Sequence, residues 1–473
     1  MACFRKRVYD ILKIQRIEKP IMTKVKQEYD VIIVGAGFAG LKAATALRKT
    51  GKEVLLLEAR DRVGGRSKAG EICGQIIDLG GQWVGPEQKL LLQQAKEFGV
   101  KIYPQYDKGA GLMSVKGKLK KFRFNIPRLP LHALLELGIL EQRWNRAMAS
   151  LPADAPWTAT RAAEWDAESL ESWILKHVHT ADAREFARIV SRAVLCAEAD
   201  QVSYLYFLEY LRQGHGVEHL LSTKKGAQQD KFVGGAWQIA KRMADTIQDS
   251  IVLNAPVVAI EQNSESVKVM TATQTYTAKH LIMAIPPILA SKIHYSPALP
   301  TKRHSLHEQM PMGTVIKIHV AYARPFWRKR GLNGSVASDD RYFNVVFDQS
   351  LSDKNIGVLV GFIDGAHAVT ASSMDEQARR EIVIADLVHY FGEDAAHPIG
   401  YVEQDWIKEE WSKGCYVGHM PPGVMTAFGD SIRQPCGRIH WAGTETATHW
   451  VGYLDGALQS GVRAAQEVIE SQH

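Results

Sequence analysis

Residues 29–66 read YDVIIVGAGFAGLKAATALRKTGKEVLLLEARDRVGGR, and few stretches leave a chain so little choice of fold. The run from Val31 to Val34 has the length and β-branched content of a strand buried on both faces. It enters Gly35-Ala36-Gly37-Phe38-Ala39-Gly40; a helix follows to about Lys49 with Gly51 beyond it, and a second apolar strand closes on Glu58. Gly35 permits a tight turn, Gly37 lets the backbone approach a pyrophosphate, and Gly40 lets helix and strand pack closely. The helix N-terminus, from Phe38 and Ala39 onward, offers free N–H groups to phosphate. Glu58, with Ala59 and Arg60 beside it, stands 18 residues past Gly40, where an acid hydrogen-bonds a ribose. An isolated GxGxxG is weak; strand, glycines, helix, strand and acid in this order predict a dinucleotide site.

Two more glycine turns favour FAD over a nicotinamide cofactor. RVGGR (62–66) brings Gly65 and the Arg66 guanidinium toward the same pyrophosphate, and DLGGQWVGP (78–86) adds Gly81, Gln82 and Trp83. Repeated wrapping suits a cofactor held permanently.

At 473 residues and 46% hydrophobic the chain exceeds one compact core, so two or more interwoven domains are expected. Five scattered cysteines with no C-x-x-C pair argue against a disulfide framework or structural zinc and suit a reducing cytoplasm. Of the net charge of +7, residues 1–27 supply +6, with eight Lys/Arg against two acids. The remainder is too balanced for a nucleic-acid footprint. In that leader Phe4, Val8, Ile11 and Leu12 fall at helical spacing among basic residues, compatible with weak contact at a membrane surface through residues 1–21. A solvated tail, or a start at Met22, explains the leader as well, and an apolar face of barely two turns favours those readings. No stretch approaches a spanning helix, so the body is expected to be soluble.

The C-terminal RIHWAGTETATHWVGYLDGALQSGVRAAQEVI (438–469), together with LPADAPW, KFVGG, AIPP, MGTVIK, RPFWRK, GCY and MPPG in order, resembles the flavin-dependent amine oxidases, and among them most closely the monoamine oxidases. The similarity runs from about Tyr29 to Ile469. It implies a mixed α/β fold: a Rossmann-like FAD-binding domain from segments 28–103, 218–306 and 407–473, interwoven with a sheet-plus-helices substrate domain from 104–217 and 307–406. The stretch 250–287 agrees, since it alternates like a meander returning to a sheet and cannot stand alone. The resemblance also implies that the Val257 backbone holds the adenine. It sets Gly443, Glu445, Gly452 and Tyr453 around the cofactor, with Glu445 capping a helix starting near Gly452.

The implied reaction is oxidation of an amine by O2 to an imine, then an aldehyde, with H2O2. It requires a neutral amine and little acid–base machinery. Tyr416 and Tyr453 match the family's two tyrosines that form an apolar slot before the flavin. Lys317, a cation in an apolar strand, matches the lysine that holds a water near the flavin and assists reoxidation. Trp406 resembles the indole beside the isoalloxazine, and Gln213 a polar residue of the substrate cavity. Cys415, directly before Tyr416, matches the cysteine that forms a thioether to the flavin 8α-methyl. Here Lys413 replaces a glycine of the monoamine oxidases, and Gly418-His419 replace a hydroxyl and an aromatic residue. Lys413 either lowers the thiol pKa or points to solvent.

His215-Gly216-Val217-Glu218-His219 spells H-x-x-E-H, but Gly214 and Gly216 argue against the continuous helix a zinc site needs, so no metal is expected. KGKLKKFRF (116–124) reads as a solvated basic hairpin. Alternatives within the fold are an L-amino-acid oxidase, with Arg212 for the carboxylate, and a polyamine oxidase, with carboxylates along the cavity; a more remote one is a flavin-binding interaction protein without turnover. Membrane-bound relatives carry an apolar helix beyond the region of Ile469, so no C-terminal anchor is expected here. A homodimer is a further expectation.

Overall fold

The computed structural model describes residues 28–122, 130–351 and 355–471; the basic leader and the readings attached to it lie outside the described residues. The opening stretch folds as its pattern requires, with strands Tyr29–Val34 and Val54–Leu57 flanking helix Phe38–Lys49. The two strands run parallel, Val31 opposite Val54 and Val34 opposite Leu57.

The stretch 250–287 does return to that sheet. Strands Val257–Gln262, Val267–Thr271 and Thr275–Met283 form an antiparallel meander. The last of them lies parallel to Tyr29–Val34, Ile33 facing Ile282, and on its other side receives Ile439–Trp441. Segments more than 400 residues apart thus share one eight-stranded sheet. The C-terminal helix Leu454–Glu470 packs on Phe38–Lys49, and only a glycine allows this approach: a Cβ on Gly461 would stand 2.2 Å from the Ala39 carbonyl oxygen.

A second sheet of seven strands is centred on Val315–Tyr322 and Gly357–Asp364, both buried throughout. They pair antiparallel, with Lys317 opposite Phe362 and Val315 opposite Asp364. At its edge Ala110–Val115 and Lys118–Phe122 form the basic hairpin, its lysines facing solvent. Helices Leu131–Ala149, Ala181–Leu195 and Tyr204–Gln213 bury Trp144, Val190 and Phe207 in an adjoining apolar core. The short helix Val217–Leu221 begins only after His215 and Gly216, which have φ of 64° and 95°, so His215 is off the helix that carries His219. Among the described residues no helix is long and apolar enough to cross a membrane.

Candidate active site

A cavity of about 810 Å³ runs from the glycine turn at 35–39 to Cys415 and Tyr416, and on between helices Leu131–Ala149 and Ala181–Leu195. It lies at the large end of the range of about 300–1,000 Å³ for ligand sites. At the glycine turn, a Cβ on Gly40 would meet the Gly35 carbonyl oxygen at 1.9 Å, so this crossing of strand and helix excludes any other residue. Helix Phe38–Lys49 has neither a side-chain cap nor an acid in its first turn. Its leading N–H groups therefore remain for an anion. Glu58 is buried and accepts the Ala36 N–H at 2.7 Å and the Arg60 N–H at 3.0 Å. Arg60 reaches on to Glu409 and Ser412. Ala59, Gly65, Gly81 and Val257 border the same space.

Midway, Arg66 grips Glu445 through two bonds of 2.6 and 3.0 Å and donates to the Tyr416 carbonyl at 2.8 Å. Burial alone would push the Glu445 carboxyl up; the guanidinium outweighs it and holds the group below its ordinary value. Glu445 does not cap the C-terminal helix, which starts at Leu454 with Tyr453 at its N-cap. It sits in its own turn, Thr444–Thr446, and accepts from Arg66 and the Gly418 N–H. A buried guanidinium is the stronger partner, because it brings a full charge and a two-pronged donor.

At the far end, Tyr416 meets Phe362 edge-on at 5.8 Å, and Tyr453 meets Trp450 edge-on at 5.1 Å. Both phenols are pushed up by burial and stay protonated. Lys317 is buried and donates to the Gly80 carbonyl at 2.7 Å and to Gln82 Oε1. The turn Gly80-Gly81-Gln82 thus serves a lysine some 235 residues away. Burial pulls Lys317 well below the ordinary lysine value, with Asp78 opposing. Trp406 is buried and donates to the Leu79 carbonyl at 2.9 Å. Cys415 packs beside Trp406 with its thiol free; burial pushes that thiol up to about 12, and Arg66 opposes the rise. Of the two readings for Lys413, the structure supports the second, since this side chain is exposed.

Gln213 donates to Glu209 and accepts the Val451 N–H, bracing the loop before Tyr453 from outside the cavity lining. Arg212 is held by both oxygens of Glu209 at 2.8 Å and lies outside that lining too. Gly443 and Gly452 line the cavity; a Cβ on Gly452 would stand 3.0 Å from the Tyr210 hydroxyl. Sequence reasoning missed Tyr210, Phe362 and Asp364, which line the same cavity. For Asp364 a signal existed: an acid ending the apolar run GVLVGFID.

An uncapped helix facing a glycine turn, an acid at the end of the second strand, and a cavity continuing to a buried lysine and two tyrosines fit a bound FAD. Fold and site together define a flavin-dependent oxidase. Residues 38–469 match the family model for flavin containing amine oxidoreductases, and the chain belongs to that family. It is 38% identical over 93% of its length to a probable flavin-containing monoamine oxidase A of Dictyostelium discoideum, covering 97% of that protein. To the flavin-containing amine oxidase B of Sus scrofa it is 38% identical over 93% of its length and 86% of that chain. Among solved structures, cyclohexylamine oxidase from Brevibacterium oxydans superposes with a TM-score of 0.90 at 32% identity, covering 94% of this chain and 99% of the other. The protein is an oxidoreductase that oxidises amines in the manner of the monoamine oxidases, with a flavin.

Proposed function

We propose that the chain oxidises the primary amino group of alkyl or arylalkyl amines, and not amino acids, at the cavity end between Tyr416 and Tyr453. FAD, when bound, takes two electrons with the substrate's C–H hydrogen and hands the electrons to O2, yielding H2O2; the released imine hydrolyses in water to an aldehyde. The chain's part is to bind, desolvate and orient. The aromatic walls at Tyr416, Tyr453 and Phe362 make an ammonium costly there and so favour the neutral amine. Their faces also keep bulk water from the reacting nitrogen. The single observation that carries the reading is Lys317, a buried amine anchored by Gly80 and Gln82 at this end of the cavity. It holds a proton at Nζ for oxygen reduction.

The cofactor is held by the turn at 35–40, by Glu58 and Arg66, and by the wall at Trp406. Its tether is a thioether from Cys415, which the free buried thiol beside Trp406 supports. Segments 28–103, 218–306 and 407–473 form the cofactor domain, and 104–217 with 307–406 the substrate domain. Cysteines without disulfides among the described residues suit a reducing compartment such as the cytoplasm. Against an amino-acid oxidase stands Arg212, whose guanidinium is already taken by Glu209.

An H2O2-release screen over primary amines, polyamines and L-amino acids tests the proposal. Primary amines should be turned over and amino acids not; efficient turnover of L-amino acids, abolished by Arg212→Ala, would overturn it.

A further inference from the structure

The cavity wall holds a carboxylate that the chemistry above does not use. Asp364 ends the strand Gly357–Asp364, is 1% exposed, and lines the cavity with Tyr416, Phe362 and Val345. It stands directly before helix Gly365–Ser372, where an aspartate ordinarily caps the first turn. Its side chain makes no such bond. Glu198 does that work instead, accepting the Ala366 N–H at 2.9 Å.

What remains around Asp364 is short of donors. One carboxylate oxygen accepts from Asn344 Nδ2 at 2.7 Å, and the other receives no hydrogen bond from any described residue. On the same Asn344 amide, Oδ1 is buried without a partner. Arg192, the guanidinium whose charge acts on Asp364, is already paired with Glu185 at 2.8 Å and Glu198 at 3.4 Å. His367 is stacked on Tyr342. Glu141 and Glu218 also line the cavity, but both are exposed to solvent, where a charge needs no partner.

The spacing makes this carboxylate useful. Phe362 lies opposite Lys317, and Asp364 opposite Val315, on one face of adjacent strands. Phe362, whose ring meets Tyr416 edge-on at 5.8 Å, stands two residues before Asp364, a step of about 7 Å along the strand and of the order of a short aliphatic diamine's length. An ammonium carries three donors and one charge, which would answer the open Asp364 oxygen. A plain alkyl tail would leave that carboxylate unpaired, and a substrate carboxylate would be repelled.

We propose that Asp364 determines specificity by receiving the second ammonium of a short aliphatic diamine whose first nitrogen, neutral, is oxidised between Tyr416 and Tyr453. This rests on the amine-oxidase reading and names the substrate class of that site.

The test compares putrescine and cadaverine with butylamine and pentylamine, using flavin-loaded protein. Wild type should favour the diamine in kcat/KM by about 10- to 100-fold, the usual range for a hydrogen bond to a charged group. In Asp364→Asn, checked for retained flavin absorbance, that ratio should collapse, mainly through a rise in the diamine KM. Wild-type protein that prefers the monoamines, or a variant losing both classes equally, would overturn the role of Asp364. The wild-type ranking decides the matter even where the variant fails to fold. No turnover of any amine would bring down the amine-oxidase reading with it, whereas monoamine turnover alone brings down only this inference.

Discussion

Replacing Glu445 by glutamine removes one charge and almost no volume from the pair that pins the Cys415–Tyr416 turn. The wild-type carboxylate side chain is 1% exposed and its Arg66 partner 18% exposed. Removing one member of a buried pair costs about 3–5 kcal/mol, because the other charge stays desolvated without its counter-ion. The contrast within the molecule is Arg161–Glu164, whose side chains are 56% and 58% exposed; such a surface pair is worth about 0–1 kcal/mol. Urea unfolding of flavin-loaded protein should therefore give Glu445→Gln a deficit several times that of Glu164→Gln. Arg66→Met added to Glu445→Gln should recover part of the loss, since the stranded guanidinium is then gone. The sign with pH follows from the lowered Glu445 pKa. A depressed folded-state value makes the contribution complete above the ordinary 4.5 and progressively lost as pH falls through the folded value. The deficit of Glu445→Gln should thus shrink in acid. If Glu445→Gln and Glu164→Gln prove equally mild at neutral pH, the pair does not hold the turn and the reasoning fails.

Lys317→Met should slow reoxidation of the reduced flavin by O2 on the order of 100- to 10,000-fold while slowing anaerobic reduction by amine far less; stopped-flow traces in which both halves slow equally would remove the oxygen role. Because burial lowers the Lys317 pKa, its charged form fades as pH rises through a value below lysine's ordinary 10.5. The wild-type reoxidation rate should fall across that range, and the variant's should not. For Cys415, acid-precipitated wild type should stay yellow, with an intact mass exceeding the polypeptide by one FAD. Cys415→Ala should release its flavin on denaturation; wild-type protein that gives up all its FAD to acid would refute the tether.

The turn at 35–40 was legible because its demands are local: a tight turn, a crossing of strand and helix, and free N–H groups each select a residue type at a fixed offset. Lys317 was legible for a related reason, since a cation inside VIKIHV contradicts its own neighbours. Family resemblance extended this to Tyr416, Tyr453 and Cys415, whose two-residue context is too short to speak for itself. What no local pattern decides is which of several competing partners a buried polar group takes. Glu445 looks like a helix cap and pairs with an arginine 379 residues away in sequence; Gln213 looks like a cavity residue and braces a loop instead. Asp364 occupies a capping position from which Glu198, 168 residues from the N–H it accepts, has displaced it. Backbone geometry is written into residue type one turn at a time, whereas hydrogen-bond and charge partners are allotted only when distant segments close around a shared, water-poor space and each acceptor must find its donor there.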